Sequence, residues 1–126
     1  MNYMNKLTEH NIMDIHEDII EIYGGTKGIL NQGTVSHLVY LIDRTNDVFK
    51  KASLALEQII VGHPFIDGNK RTAFGVTDII LRSEGYHIHA SEDKIQNVLL
   101  KIAKYECTTE EIEKWLRNTV IPLHLS

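Results

Sequence analysis

The chain has 126 residues, 43% of them hydrophobic and 24% charged, with two prolines and a single cysteine. That length and apolar fraction fit one packed domain over residues 1–126 and exclude a disordered chain. A net charge of −4 with no basic block argues against a nucleic-acid binder, and no apolar run approaches the roughly 20 residues of a membrane span. The opening Met1-Asn2-Tyr3-Met4-Asn5-Lys6 has no apolar stretch behind a positive start, so no secretory signal is expected. A lone Cys107 can form neither an internal disulfide nor a multi-cysteine zinc site, and a cytoplasmic protein is expected.

Most of the chain has helical period. Ile12, Ile15, Ile19 and Ile22 draw an apolar stripe on a first helix, with Thr8 and Asn11 as its start signal and Gly24-Gly25 as its end. A second helix is expected over about Gln32 to Leu41, with Val35, Leu38, Val39 and Ile42 inward. A third carries Ala52, Ala55, Leu56, Ile59 and Ile60, and stops near Gly62 because Pro64 follows. A fourth runs from near Asn69 to Ser83. Its apolar residues spread over more than one face, which predicts the central buried helix. Gly75 inside it lowers helix propensity by about 1 kcal/mol against alanine, so a close neighbouring helix is expected there. Gly85 ends that helix and His87-Ile88-His89 reads as extended. Ser91 caps a fifth helix with Ile95, Val98, Leu99 and Ile102 inward. Thr109 opens a sixth, docked by Trp115 and Leu116. The fold class is all-α.

The connection between the third and fourth helices departs from this pattern. His63-Pro64-Phe65-Ile66-Asp67-Gly68-Asn69-Lys70-Arg71-Thr72 joins two apolar helices, where a polar turn would suffice. Instead it gathers an imidazole, a carboxylate, an amide and two cations. Lys70 and Arg71 lie in the first helical turn, where cations oppose the helix dipole by roughly 0.3–1 kcal/mol each. The placement makes sense if an anion sits there, held by free N–H groups, by a backbone nest that Gly68 permits, and by both side chains. A carboxylate beside a phosphate cradle suits a divalent cation, so Asp67 is the candidate Mg²⁺ ligand. Asn69 can cap the helix and fix the loop or a phosphate oxygen. Phe65 is expected to anchor the loop in the core. The imidazole of His63 suits a general base on a hydroxyl. Each of these residues alone has an ordinary explanation as a cap, a turn or a solvated charge; the combination does not.

The loop resembles the signature of the Fic superfamily, His-x-Phe-x-Asp/Glu-Gly/Ala-Asn-Gly/Lys-Arg, at His63, Phe65, Asp67, Gly68, Asn69, Lys70 and Arg71. Asn69-Lys70-Arg71-Thr72 is similar to the Doc (death-on-curing) branch, as are Leu7-Thr8-Glu9, Tyr23-Gly24-Gly25 with Gly28-Ile29-Leu30, and Ser83-Glu84-Gly85-Tyr86. The resemblance runs over residues 6 to 118. It implies a compact domain of about six helices around the helix that follows the signature loop. It implies a toxin that moves the γ-phosphate of ATP, with Mg²⁺, to a threonine of elongation factor Tu, and a cognate antitoxin in trans. The implied catalytic set is His63, Asp67, Asn69, Lys70 and Arg71. The implied phosphate-binding set is Gly68, Asn69, Lys70, Arg71 and Thr72.

The AMP-transferring Fic pattern has glycine where Lys70 stands and a second arginine where Phe74 stands. Both departures favour transfer of the outer phosphate. An AMP transferase and a non-catalytic binding module remain alternatives, as does a metal-dependent hydrolase built on His63 and Asp67 with His87 and His89. Ser53-x-x-x-Glu57-Gln58 approaches the inhibitory motif of Fic proteins but lies in a core-type helix, so inhibition in cis is not expected. The Glu-rich face of the first helix and the chain end are candidate antitoxin contacts.

Overall fold

The computed structural model describes residues 6–125. Residues 1–5, read above for a leader, lie outside them. Six helices follow in order: α1 Glu9–Tyr23, α2 Gln32–Asp43, α3 Val48–Gly62, α4 Asn69–Ser83, α5 Glu92–Ala103 and α6 Thr109–Thr119. A short strand β1, Tyr86–Ile88, lies between α4 and α5, and β2, Val120–Pro122, follows α6. The fold is all-α in class, as expected.

The helix starts follow from local chemistry. Thr8 and Asn11 form a reciprocal capping box on α1, with Asn11 N–H donating to Thr8 Oγ1 at 3.1 Å. Asn31, Asp47 and Ser91 cap α2, α3 and α5. The cap of α6 is Thr108, one residue before the expected start, because Glu111 completes a capping box with it.

The core is organised by two helices. α3 packs against α2, α4, α5 and α6, while α4 packs against α3, α1 and β1. The helix expected at the centre is therefore one half of a central pair. Ala52, Ala55, Leu56 and Ile59 of α3 and Ala73, Val76 and Leu81 of α4 are all buried in one core cluster. The small alanines let the two backbones approach. Gly75 faces α1, where an added Cβ would meet Ile15 Cγ2 at 3.4 Å. That is ordinary contact, so the neighbour is present but does not demand glycine.

Two elements differ from the sequence pattern. Ile22 is 71% exposed, while His16 and Ile20 are buried beside Ile12 and Ile15. At about 100° per residue, Ile22 falls roughly a quarter-turn from the centre of that face. The strand β2 pairs antiparallel with β1, Tyr86 opposite Pro122 and Ile88 opposite Val120. Three residues at a helix exit carry too little periodicity to announce a strand.

One polar cluster ties α6 to the start of α3. Asp47 Oδ1 accepts from the N–H of Phe49 at 2.8 Å and of Lys50 at 3.2 Å, and its Oδ2 accepts from Arg117 Nη2 at 2.9 Å. Arg117 also bonds Glu113 and lies over the Phe49 ring, 4.7 Å from its centroid. Desolvation raises the Asp47 pKa, but the hydrogen bonds from Arg117, Lys50 and Phe49 and the Arg117 charge together outweigh it and hold the carboxyl below its ordinary value. A depressed folded pKa contributes stability above the unfolded value of about 3.9, and this is lost as pH falls through the folded pKa. Asp47→Ala should cost about 1 kcal/mol at pH 7, typical of a lost N-cap. Urea unfolding at pH 7 and pH 3 should show the gap between parent and variant narrowing at the lower pH.

Candidate active site

The signature loop begins where α3 is forced to end. His63 takes a left-handed conformation, φ 49° and ψ 56°, and its N–H closes the last turn on Ile59 O at 3.0 Å. That region is disfavoured for a residue with a Cβ, and such strain concentrates at functional positions. It turns the His63 side chain outward, where it is exposed. Pro64 follows, buried, and its carbonyl accepts from Leu30 N at 2.7 Å and Asn31 N at 3.1 Å. Ile29 bridges Phe65 antiparallel, and Ile66 N donates to Gly28 O at 3.0 Å. The segment after α1 thus runs as a ribbon along the loop.

Phe65 is the anchor, fully buried. The ring of His16, 2% exposed, stacks on it with centroids 3.8 Å apart and planes within 5°. His16 Nε2 lies 2.8 Å from Asp67 O. A carbonyl only accepts, so Nε2 carries the proton and donates. Asn69, 5% exposed, closes the loop from the other side. Its Oδ1 accepts from Phe65 N at 3.0 Å and its Nδ2 donates to Phe65 O at 2.9 Å. The amide is therefore a clamp on the loop. It does not cap α4: the N-cap is Gly68, at φ 75°, and no side chain occupies the N–H groups of the first turn.

The exposed groups sit on this frame. Asp67 Oδ1 accepts from Gly68 N at 2.9 Å, and Oδ2 accepts from Thr26 N at 3.2 Å. Gly25 makes the approach possible: at φ 122°, a Cβ there would stand 2.7 Å from Asp67 Oδ2. Each carboxylate oxygen keeps a lone pair free. Among the described residues no group of three or more His, Cys, Asp or Glu converges on a metal position. A single carboxylate fits a Mg²⁺ shared with phosphate oxygens, and does not build a cage of protein ligands. Lys70 and Arg71 are exposed, and neither has an ion-pair partner among the described residues. Arg71 is held instead over the Tyr23 ring, 4.2 Å from its centroid.

These groups open on one groove of about 600 Å³. His63, Asp67, Gly68, Asn69, Lys70 and Arg71 line one side, and Gln96, Leu99, Ala103 and Tyr105 line the other. Thr72 is not among the residues that line it: its side chain is fully buried one turn into α4. Phe74 borders a second, smaller groove with Tyr23 and Ile95. His87 accepts from Arg82 Nη2 at 2.9 Å, and neither it nor His89 borders the groove, so the pair gives no support to a metal-dependent hydrolase. Cys107 is half-buried, and burial together with the nearby Glu111 raises its pKa, in keeping with an unreactive thiol.

The family model for the Fic/DOC family matches residues 6–81, which include every residue of the signature loop. The chain belongs to the Fic/DOC family. It lies on the Doc branch of that family, by likeness to two proteins. One is "Protein kinase doc" of Escherichia phage P1, 23% identical over 121 residues, covering 91% of this chain and 95% of that protein. The other is "Toxin Doc" of Mycolicibacterium smegmatis, 28% identical over 76 residues, covering 59% of this chain and 58% of that protein. The Fic/DOC match ends before α5, so the wall of the groove carrying Gln96, Leu99, Ala103 and Tyr105 lies beyond it.

The sequence pattern of this Fic/DOC domain left three site residues unread. His16 occupies the apolar face of α1, four residues after Ile12 and four before Ile20, and that spacing was the signal for a buried histidine. Tyr23 and Thr26 act only through contacts made in three dimensions. Because Phe65 is fully enclosed, Phe65→Ala should destabilise the domain by about 3–5 kcal/mol. Chemical denaturation that returned the parent's midpoint would show that Phe65 is not the anchor.

Proposed function

We propose that this protein is a Doc-type toxin that transfers the γ-phosphate of ATP to a protein hydroxyl. The observation that carries the reading is the uncapped start of α4. Free N–H groups, two cations without ion-pair partners among the described residues, a carboxylate and an imidazole face one groove. Phosphoryl transfer asks for little covalent help from a protein and depends on positioning and charge neutralisation, which this set can supply.

In this reading the phosphates lie on the N–H groups of α4, clamped by Lys70 and Arg71. Asp67 would hold Mg²⁺, which neutralises charge on the phosphate oxygens. His63 accepts the proton of the acceptor hydroxyl as its oxygen bonds to the γ-phosphorus. The bond to the β-phosphate oxygen breaks and ADP leaves. Asn69 acts from behind, by holding the loop. Lys70 in place of glycine and Phe74 in place of a second arginine favour the γ-phosphate over AMP as the group moved. The acceptor we propose is a threonine of elongation factor Tu, in the cytoplasm, with translation as the process blocked.

Restraint in trans by an antitoxin completes the reading. The segment nearest to an inhibitory motif in cis is committed elsewhere: Ser53 is buried with its hydroxyl donating to Lys50 O, and Glu57 accepts from Thr109 of α6. The phage relative's name, a kinase, and the mycobacterial relative's name, a toxin, agree with this reading.

ATP labelled at the α or γ position tests it, incubated with the protein, Mg²⁺ and elongation factor Tu. Label should reach the acceptor from the γ position only. His63→Ala should retain cooperative unfolding and lower the rate by about 10²–10⁴-fold, the usual worth of a general base. Label from the α position would make the protein an AMP transferase and contradict the roles given to Lys70 and Phe74.

A further inference from the structure

The wall of the groove opposite the signature loop ends in an unusual residue. α5 closes with a Schellman motif: Glu106 N donates to Lys101 O at 2.9 Å, and Tyr105 N donates to Ile102 O at 3.0 Å. The motif puts the residue after the cap, Tyr105, into the left-handed region, at φ 60°. Glycine is the usual occupant of that position because it has no Cβ. A tyrosine there strains the backbone, and packing gives nothing back, since the residue is 76% exposed. Tyr105 nevertheless lines the groove that holds Lys70 and Arg71.

We infer that Tyr105 is a binding residue for the nucleotide: its ring stacks on the purine base while the phosphates sit at α4. This rests on the proposed use of ATP and adds what recognises the rest of that molecule. Apolar residues line the groove as well as charged ones, Ile60, Val61 and Ile66 among them. Its charged side, at Asp67, Lys70 and Arg71, suits phosphates and a cation. The side formed by Leu99 and Ala103 is apolar and ends at Tyr105, which suits a flat base. Aromatic rings bind any base through its π-face, so the contact favours a nucleotide over bare polyphosphate without selecting one base strongly.

Calorimetric titration with Mg-ATP and with inorganic tripolyphosphate, on the parent, Tyr105→Gly and Tyr105→Phe, tests this. Tyr105→Gly should weaken ATP about tenfold, within the range of one lost stacking contact, and leave tripolyphosphate unchanged. Tyr105→Phe should keep the parent's ATP affinity. Relief of the backbone strain should leave the glycine variant melting no lower than the parent, so the loss cannot come from unfolding. Equal ATP affinity in parent and Tyr105→Gly would overturn the inference and leave the phosphate cradle standing. An equal loss for both ligands would also overturn it, by showing that the residue shapes the loop only. A parent that binds neither ligand would overturn the ATP reading itself.

Discussion

The site depends on one contact between distant parts of the chain, the stack of His16 on Phe65. It buries a polar ring against an aromatic one and leaves Nε2 aimed at the Asp67 carbonyl, 2.8 Å away. α1 thereby fixes both ends of the loop's central stretch: the aromatic that enters the core and the peptide that carries the carboxylate. Asn69 closes the same stretch through two hydrogen bonds to the Phe65 backbone. Buried amide and imidazole groups are costly unless paired, so each must find its partner in the folded loop, and this selects one conformation. The exposed residues inherit that rigidity without supplying it.

The electrostatics of the loop run against helix stability. α4 begins with a glycine cap, no side-chain partner for its first N–H groups, and two cations at its positive end. α1, α5 and α6 show the opposite choice, with capping side chains and acidic first turns. The other five described helices are each capped by a side chain, and the open start of α4 supports the proposed ligand site there. The strained His63, the glycine that Asp67 requires at position 25, and the guanidinium braced on Tyr23 all surround the same open end. Membership of the Fic/DOC family agrees with this physical reading and does not replace it.

Much of this was legible in the residues. Helix bounds followed from Thr8, Gly62 before Pro64, and Ser91, because caps and prolines act locally. The loop was legible because its charges contradict what a stable helix start would choose. What escaped was set by packing between distant segments. Asn69 read as a cap, a loop-fixing residue or a phosphate ligand; the structure shows it fixing the loop, while Gly68 takes the cap position. Thr72 read as part of the phosphate set but is fully buried in the core. The hydrogen bond of His16 to the loop escaped, because nothing local reveals a partner 51 positions away. The ribbon at Ile29 and the strand β2 are too short to show a period.

The central claim is that the open first turn of α4 is the anion site. Amide shifts in the ¹⁵N NMR spectrum, followed while Mg-ATP is added, address it directly. The account predicts saturable shifts that are largest at Gly68, Asn69, Lys70 and Arg71, and that are lost in Arg71→Ala. Shifts that cluster elsewhere, or that never saturate at these four amides, would contradict it.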